Sequence, residues 1–236
     1  MLSVIIITKN EEANIRACLE SVKFADEIIV CDSGSTDKTL EICRAFTQQV
    51  FVTDWQGFGV QKQRALDKAT QKWVLSIDAD ERISEELRAE ILLAIKNDSC
   101  DGYFLPRLSY VCGERVRYGG WYPDYILRLF KKSSGEFTKD LVHEKVIVKG
   151  RTERLKNHIL HYSYENLSQL ILKMDRYSSL NATKEFKKNK DSSLITALGR
   201  ATFAFVKSYF LKFGLFDGRV GFVVAVSSAE SAYYKY

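Results

Sequence analysis

The stretch Trp73-Val74-Leu75-Ser76-Ile77-Asp78-Ala79-Asp80 decides the kind of fold that this chain adopts. Its first five residues are mainly apolar and favour a strand buried on both faces. Two carboxylates, two residues apart, follow where the strand ends. Carboxylate oxygens are good ligands for a hard divalent cation, so Asp78 and Asp80 can hold one cation against a diphosphate. An acidic pair is also common in an ordinary turn before a helix, so the neighbouring strand ends decide between the two interpretations.

Polar loops also follow the first two predicted strands. Thr8-Lys9-Asn10-Glu11-Glu12 stands at the end of an apolar run, and Asp32-Ser33-Gly34-Ser35-Thr36-Asp37 follows a strand at residues 27–31. An open α/β sheet forms a nucleotide site where such loops meet at the carboxyl ends of its strands. The second loop alone also suits a turn that caps a helix. The chain contains neither G-x-G-x-x-G nor a P-loop sequence, which disfavours dinucleotide and NTPase sites.

Alternating strands and helices up to residue 97 predict an α/β fold with a mostly parallel sheet. We expect strands at residues 3–8, 27–31, 49–53 and 73–77. We expect helices after an N-cap at Asn10, at residues 37–46 and 60–69, and after an N-cap at Ser84.

After residue 97 the pattern changes. Later strands are predicted at residues 102–111, 125–130, 142–148 and 154–161, and they extend the sheet with antiparallel pieces. Residues 165–189, 192–213 and 217–233 read as helices, so we predict one domain at 1–164 and a helical appendage at 165–236.

The composition is that of a globular protein with a substantial core. The chain has 236 residues, of which 46% are hydrophobic and 28% charged. Five cysteines lack metal-like spacing, and Cys18, Cys31 and Cys43 fall within apolar periodicity, which favours reduced core thiols in a cytoplasmic protein. The first residues lack the basic region of a signal peptide, and no uninterrupted apolar stretch approaches the roughly 18 residues of a membrane span. We therefore expect a cytoplasmic location.

The basic excess of the chain is confined to its last third. Residues 1–167 carry 24 Lys+Arg against 25 Asp+Glu, a net of −1, whereas residues 168–236 carry 11 against 5, a net of +6. Cationic clusters that alternate with apolar and aromatic runs favour a helix lying on an anionic bilayer. The alternative is a helical bundle with a solvated basic face. Nucleic-acid binding is disfavoured by a modest pI of about 8.8 and by the acidic loops, so we expect no nucleic-acid partner.

The three loops in this order and at these separations resemble those of family 2 glycosyltransferases of the GT-A fold. The resemblance covers residues 1 to about 150, and the usual double acid of the second loop is Asp32-Ser33 here. It implies a UDP-sugar donor, inverting transfer, and Mn²⁺ or Mg²⁺ on the diphosphate. Asp80, with Asp78, would bind that cation. The implied donor-binding residues are Thr8, Asn10, Glu11, Asp32, Ser33, Gly34 and Asp78.

A second set of residues resembles the lipopolysaccharide core glucosyltransferases. It comprises Gly119-Gly120-Trp121-Tyr122-Pro123-Asp124, Arg128-Leu129-Phe130 and Val142-His143-Glu144. This resemblance implies transfer of a hexose, typically glucose from UDP-glucose, to an inner-core heptose of lipopolysaccharide. The alternative is another UDP-sugar, or a different cell-envelope glycan or lipid-linked acceptor. Such an acceptor would hold the enzyme peripherally on the cytoplasmic face of the inner membrane.

Inverting transfer requires a base on the acceptor hydroxyl and charge neutralisation on the departing diphosphate. Glu144 is the predicted base, Asp140 the alternative, and His143 would orient or replace Glu144. The other interpretation of Glu144 is an exposed strand residue paired with Lys145 or Arg128.

Trp121, Tyr122, Asp124 and Arg128 are the predicted acceptor-binding residues. Aromatic faces stack on the apolar side of a pyranose, and an arginine can meet phosphates of a core oligosaccharide. Each of these residues also suits a structural role, the rings in a packed turn and Arg128 as a surface charge. A protein that binds nucleotide sugars or nucleic acid without catalysis is the rival from a different class.

Overall fold

The computed structural model describes residues 1–138, 145–186 and 193–235, and the chain divides into two compact units. The first unit consists of Met1–Arg107 and Tyr125–His161, and the second of Leu108–Asp124 and Tyr162–Tyr236. The second unit therefore takes in a segment before the helical region as well as that region. The domain boundary at residue 164 stays a prediction.

Four parallel strands form the start of the sheet in the first unit, in the order β3-β2-β1-β4. They are β1 (Leu2–Thr8), β2 (Glu27–Asp32), β3 (Val50–Val52) and β4 (Trp73–Asp78). In this register Thr8 lies opposite Asp32, and Ile7 lies opposite Asp78. The carboxyl ends of three strands therefore meet at one edge of the sheet, which confirms the expected α/β arrangement.

Four helices cover the two faces of these strands: α1 (Ile15–Ser21), α2 (Thr39–Arg44), α3 (Phe58–Lys68) and α4 (Glu85–Asn97). Alternate residues of β1 pack into different apolar clusters, because successive side chains of a strand point to opposite faces. Val4 and Ile6 belong to a cluster that includes residues of α1 and α4, and Ile5 joins a cluster that includes residues of α3. Strand β1 is thus buried on both sides, as its continuous apolar run predicts.

The helix predicted after an N-cap at Asn10 begins later, at Ile15, so that prediction is wrong in its start. Asn10 has a left-handed backbone, with φ 55°, and its Oδ1 accepts a hydrogen bond of 2.8 Å from Thr36 N. Its side chain therefore joins two loops instead of capping a helix. The cap predicted at Ser84 is confirmed, because its hydroxyl accepts a hydrogen bond from Leu87 N at the start of α4.

Most of the later strands extend the sheet, including antiparallel pieces as expected. The later strands are β5 (Glu81–Ile83), β6 (Gly102–Val111), β7 (Glu114–Val116), β8 (Asp124–Lys131), β9 (Gly135–Phe137), β10 (Val146–Val148), β11 (Thr152–Arg154) and β12 (Ile159–Tyr164). Strands β9 and β10 instead pair antiparallel in a separate two-stranded sheet, so the prediction that a strand at residues 142–148 extends the sheet is wrong for its described part. Strand β8 pairs antiparallel with β4, and β12 pairs antiparallel with β5. The single strand predicted at residues 154–161 is two strands, because the backbone amides of Lys156 and Asn157 donate to the Glu90 carboxylate and the chain turns there.

Three helices make up most of the second unit: α5 (Leu167–Phe186), α6 (Leu194–Val206) and α7 (Gly218–Lys235). A π-helical turn, Lys207–Leu211, continues α6, and a 3₁₀ turn, Gly214–Asp217, leads into α7. The predicted helical character of this region is thereby confirmed for the described residues. Its core joins apolar residues of β6, β7, α5 and α7, namely Val111, Val116, Leu170, Val220 and Val224.

The cysteines are free thiols with different environments. Cys18, Cys31, Cys43 and Cys100 are buried in the first unit, whereas Cys112 is exposed in the turn between β6 and β7. Burial raises the pKa of Cys31 to about 11 and that of Cys43 to about 12. The prediction that Cys18, Cys31 and Cys43 are reduced core residues is confirmed.

Candidate functional site

The loops that follow β1 and β2 are joined by hydrogen bonds between side chains and backbone. Asn10 N donates to Ser35 Oγ at 2.8 Å, and Glu11 N donates to Thr39 Oγ1 at 2.8 Å. In return, Thr36 N donates to the Asn10 side chain. Backbone donors that a helix would otherwise satisfy are therefore used to hold one loop against the other. The two loops form a single polar floor at the edge of the sheet.

Asp32 organises its own loop. Its Oδ1 accepts hydrogen bonds of 2.8 Å from the backbone amides of Gly34 and Ser35, and its Oδ2 accepts one from Ser35 Oγ. Gly34 has φ 84°, a conformation that favours glycine. Oδ1 already accepts two hydrogen bonds, whereas Oδ2 accepts one and keeps a second lone pair for a donor from a ligand. Its predicted contact with the nucleotide stays a prediction.

Two further predicted donor-binding residues lie at the same edge. Ser33 N donates to Thr8 O at 3.0 Å, which continues the pairing of β1 with β2. The buried Thr8 Oγ1 has no hydrogen-bond partner among the described residues. Ser33 Oγ accepts a hydrogen bond of 3.0 Å from the buried Gln61 of α3. A hydroxyl without a partner is costly in a dry interior, so a ligand that supplied a partner would be favoured at Thr8.

Asp78 is held between two cations. Its Oδ1 lies 3.0 Å from Lys62 Nζ, and its Oδ2 lies 2.5 Å from Arg128 Nη2. Both cationic side chains are almost fully buried, whereas that of Asp78 is 29% exposed. Burial alone would raise the pKa of Asp78, but the charges of Arg128 and then Lys62 outweigh it and hold the pKa well below its usual value. Asp78 is therefore ionised, with both oxygens already engaged.

Arg128 also contacts a second carboxylate, that of the fully buried Glu81. Arg128 Nη2 lies 2.9 Å from Glu81 Oε1, and Arg107 Nη1 lies 3.6 Å from the same oxygen. The other oxygen, Oε2, accepts a hydrogen bond of 2.9 Å from Asp78 N. This network fixes the turn that carries Asp78 and Asp80. Sequence reasoning gave no role to Lys62, Glu81 or Arg107, and the acceptor role of Arg128 stays a prediction.

Asp80 lies beside His161, and no pattern in the sequence predicts this contact. His161 Nε2 is 3.3 Å from Asp80 Oδ2, and the two side chains are 12% and 24% exposed. The antiparallel pairing of β12 with β5 places His161 opposite Glu81, which brings the imidazole to this turn. Both groups remain open enough to reach a ligand. Carboxylate oxygen and imidazole nitrogen together fit a transition-metal cation such as Mn²⁺ better than Mg²⁺, which prefers oxygen ligands.

A further chain of contacts connects the acidic turn to the first loop. Arg82 Nη1 donates to the carbonyls of Ala79 and Glu81 at 3.0 Å, and its Nη2 donates to Asn14 Oδ1 at 3.2 Å. Asn14 Nδ2 in turn donates to Glu11 Oε2 at 3.1 Å. The predicted residues Glu11, Asp78 and Asp80 therefore belong to one connected site in the first unit.

The other predicted residues are distributed differently. Trp121, Tyr122 and Asp124 belong to the second unit, where Trp121 packs against its apolar core with its ring centroid 6.4 Å from that of Tyr164. Their roles in acceptor binding stay predictions. Asp140, His143 and Glu144, the candidate bases, lie outside the described residues. In the described ranges, no group of three or more His, Cys, Asp or Glu side chains is placed to hold a metal ion.

Sequence comparisons identify relatives over nearly the whole chain. The family model described as Glycosyl transferase family 2 matches residues 3–149. The chain is 31% identical to the lipopolysaccharide core biosynthesis glycosyltransferase LpsC of Rhizobium meliloti (strain 1021), over 98% of this chain and 89% of LpsC. It is 32% identical to an uncharacterized glycosyltransferase of Rickettsia typhi, over 95% of this chain and 82% of that protein.

Comparison with solved structures supports the fold. The crystal structure of S. aureus TarS 1–349 in complex with UDP matches with a TM-score of 0.52 and 17% identity, over 98% of this chain and 90% of that chain. At this level of identity the likeness concerns the fold. It confirms the α/β architecture that the resemblance to the GT-A fold implies and the C-terminal helices that the sequence pattern predicts.

Proposed function

The chain belongs to glycosyl transferase family 2, and from this premise we propose that it is an inverting, metal-dependent hexosyltransferase with a UDP-sugar donor. The proposed donor is UDP-glucose and the proposed acceptor an inner-core heptose of lipopolysaccharide. The observation that carries the proposal is the connected site of Thr8, Asp32, Asp78 and Asp80 at the carboxyl edge of parallel strands. The alternative within the same activity is another UDP-sugar, or another cell-envelope or lipid-linked glycan.

The donor is proposed to lie along the joined loops of β1 and β2. Thr8 and Asp32 would meet the uracil, with Asn10, Glu11, Ser33 and Gly34 supporting the nucleotide. The hydroxyl of Thr8, which has no hydrogen-bond partner in the part of the chain that the structure describes, and the remaining lone pair of Asp32 Oδ2 support this assignment. That TarS was crystallised with UDP agrees with a uridine nucleotide here.

Asp80 and His161 are proposed to hold the divalent cation, which would supply charge neutralisation on the departing diphosphate. Asp78 would then have a role other than cation binding, which its spacing from Asp80 predicts. Lys62 and Arg128 engage its oxygens, so it would keep the turn in place and offer its remaining lone pairs to the nucleotide. The mixed oxygen and nitrogen donor set favours Mn²⁺.

The acceptor hydroxyl must lose a proton as it attacks the anomeric carbon from the side opposite UDP. Glu144 is the proposed base, with His143 beside it in the sequence and Asp140 as the alternative. Glu144→Gln should keep donor binding and lower the transfer rate by about 10²- to 10⁴-fold, the usual contribution of a general base. Transfer at the wild-type rate would assign the base to another residue.

The similarity to LpsC supports a lipopolysaccharide acceptor and hence a location at the membrane where that acceptor is built. We propose peripheral association with the cytoplasmic face of the inner membrane. Trp121, Tyr122, Asp124 and Arg128 are the proposed acceptor contacts. The test is release of UDP from a panel of UDP-sugars, with and without Mn²⁺, in the presence of heptose-containing core oligosaccharide. Release that does not depend on this acceptor would contradict the acceptor assignment.

The cation site is tested by binding as well as by turnover. Asp80→Asn and His161→Ala should each weaken Mn²⁺ binding in the presence of UDP, measured by electron paramagnetic resonance, by about tenfold or more. Glu41→Gln, a change of an exposed carboxylate on α2, is the control and should bind Mn²⁺ as the wild type does. Unchanged Mn²⁺ affinity in His161→Ala would exclude the imidazole as a ligand.

A further inference from the structure

Helix α6 has two apolar sides, of which only one is covered by the second unit. The inner side includes the buried Ala197 and, in the π-helical turn, the buried Ser208. Ser208 Oγ donates to Gly119 O at 3.3 Å, and the rings of Phe205 and Phe222 of α7 lie 5.9 Å apart. These contacts fasten α6 and its π-helical continuation along their length to α7 and to the loop before β8.

The other side of α6, which we call the outer face, is apolar and open. Successive residues of an α-helix are rotated by about 100° around its axis, so residues three or four positions apart lie on the same side. The large side chains of the outer face are Ile195, Leu198, Phe203, Val206 and Phe210. Ile195 is 83% exposed and Phe203 is 60% exposed. The following turn continues this character with exposed Phe213 and Phe216, whose ring centroids lie 6.1 Å apart.

Cationic side chains border the outer face. Arg200 and Lys207, seven residues apart, lie on the same flank of the helix, and both are exposed. Lys212 follows in the next turn. Residues 193–216 hold these three cations and no Asp or Glu. An apolar face with cations along its edge is the pattern of a helix that lies in the interface of an anionic bilayer.

The same helix meets the length and composition required to cross a membrane. The window Leu194–Leu211 has a mean hydropathy of 1.2, and 11% of it is buried. Two features favour lying on the surface over crossing. The inner side is fastened to α7, which itself packs on β6 and β7 through Val220 and Val224. Arg200 and Lys207 fall within the window, and a charged side chain is costly inside the hydrocarbon core of a bilayer.

From these observations we infer that the outer face of α6 is the membrane-docking surface of the protein and that its partner is the headgroup and upper acyl region of an anionic lipid bilayer. The aromatic and aliphatic side chains enter the acyl boundary, and Arg200, Lys207 and Lys212 meet lipid phosphates. This inference names the surface for the peripheral association in the proposed function, and it rests on that function only where it concerns a lipid-linked acceptor.

A second copy of this chain is a less suitable partner for the outer face. A twofold interface brings the same patch together from both copies, so each cation would face cations of the other copy. Because residues 193–216 contain no carboxylate, this patch offers no acidic partner across such an interface. Anionic lipids supply the missing charge. Charge complementarity therefore favours the bilayer.

The test is flotation of the full chain with phosphatidylcholine vesicles that contain either no phosphatidylglycerol or about one third of it. We expect binding to the anionic vesicles that falls as salt rises. Phe203→Ser combined with Phe210→Ser should reduce binding by more than about tenfold, because two rings leave the acyl boundary. Arg200→Glu combined with Lys207→Glu should reduce it by at least about tenfold as well.

Matched variants on α4 of the first unit test whether changing any exposed apolar or cationic side chain alters vesicle binding. Leu93→Ser and Lys96→Glu change exposed residues of the same kinds and should bind vesicles as the wild type does. Circular dichroism should show the same helix content in all variants. Wild-type binding by the Phe203/Phe210 variant, or equal binding to neutral and anionic vesicles, would overturn the inference. A wild-type dimer that these substitutions dissociate would show that the outer face binds a second copy of the chain. Wild-type protein that stays in the membrane after extraction with high salt and carbonate would show that α6 crosses the bilayer. Either result would also overturn the inference.

The proposed function is measured separately on the same variants. Transfer to a water-soluble, deacylated core oligosaccharide should be unchanged when vesicle binding is lost, whereas transfer to the same acceptor embedded in anionic vesicles should fall. Loss of vesicle binding in the wild type with intact transfer would defeat only the docking surface. Vesicle binding without transfer to any heptose acceptor would defeat only the proposed acceptor.

Discussion

Arg128 is a buried charge whose partners are Asp78 and Glu81. Removing one partner from such a network leaves an uncompensated buried charge, which is far more costly than losing a surface ion pair. We therefore expect Arg128→Ala to lower the free energy of unfolding by about 3–5 kcal/mol, measured by urea denaturation.

The control is Arg151→Ala, which breaks an exposed pair. Arg151 Nη2 lies 2.6 Å from Glu153 Oε1, and the two side chains are 71% and 43% exposed. Solvent screens this pair, so the variant should lose less than about 1 kcal/mol. Equal small losses in Arg128→Ala and Arg151→Ala would contradict the structural role of Arg128.

Single residues of the site differ in how far the sequence predicts them. Asp80 and Asp32 are predictable, because each follows an apolar strand and strand ends of a parallel sheet meet at one edge. His161 is not, because its place beside Asp80 depends on a strand pairing between residues about 80 positions apart. Lys62 gives no signal either, since in the sequence it is one cation of an ordinary amphipathic helix.

At the scale of elements, Gly221 determines how α7 meets the 3₁₀ turn before it. A Cβ at Gly221 would lie 1.8 Å from Gly214 O, a backbone atom that cannot move aside cheaply. We expect Gly221→Ala to destabilise the second unit by about 2–3 kcal/mol through overpacking, measured by thermal unfolding.

Gly199 of α6 provides the matched control. A Cβ there has nothing within 4 Å, so only the helix propensity changes. Gly199→Ala should stabilise the second unit by about 0.5–1 kcal/mol. Destabilisation by both alanines would show that the close approach at Gly221 is not the cause.

Helices and strands with strong periodicity are predictable from the sequence, whereas their starts and breaks depend on tertiary contacts. Strand β6 has the bounds that its pattern predicts. Helix α1 starts at Ile15 because the residues before it bond to the loop after β2. The break between β11 and β12 follows from Glu90 on α4, which binds two backbone amides of a distant segment. Such long-range bonds leave no local pattern.

For the stability of the whole molecule, Glu27 links four segments of the first unit. Its carboxylate accepts hydrogen bonds from Ser3 Oγ, Gln49 Nε2, Thr70 N and Thr70 Oγ1. Burial opposes ionisation, but the hydrogen bonds from Ser3, Thr70 and Gln49 outweigh it and lower the pKa of Glu27 below its ordinary value of 4.5. A lowered pKa in the folded state means that this carboxylate stabilises the fold above about pH 4.5.

That contribution is lost as the pH falls below 4.5 and through the lower pKa of the folded state. Glu27→Gln should therefore lower the free energy of unfolding by about 1.5–3 kcal/mol at pH 7, and the difference from the wild type should shrink in acid. Urea denaturation at a series of pH values measures it. The exposed Glu20→Gln is the control and should show a small difference that stays nearly constant. If the difference in the free energy of unfolding between Glu27→Gln and the wild type persists unchanged below about pH 3, the pKa of Glu27 is not lowered in the folded state.

The uneven burial of the cysteines makes the native chain a substrate for selective labelling. Alkylation needs an accessible thiolate, and the buried thiols of Cys18, Cys31, Cys43 and Cys100 are not accessible. Burial also raises the pKa of Cys31 and Cys43, which lowers their thiolate fraction further. A maleimide at neutral pH should therefore add one adduct by mass, at Cys112, and none to Cys112→Ser. A fluorophore or spin label can be attached to the second unit in this way without removing any other cysteine.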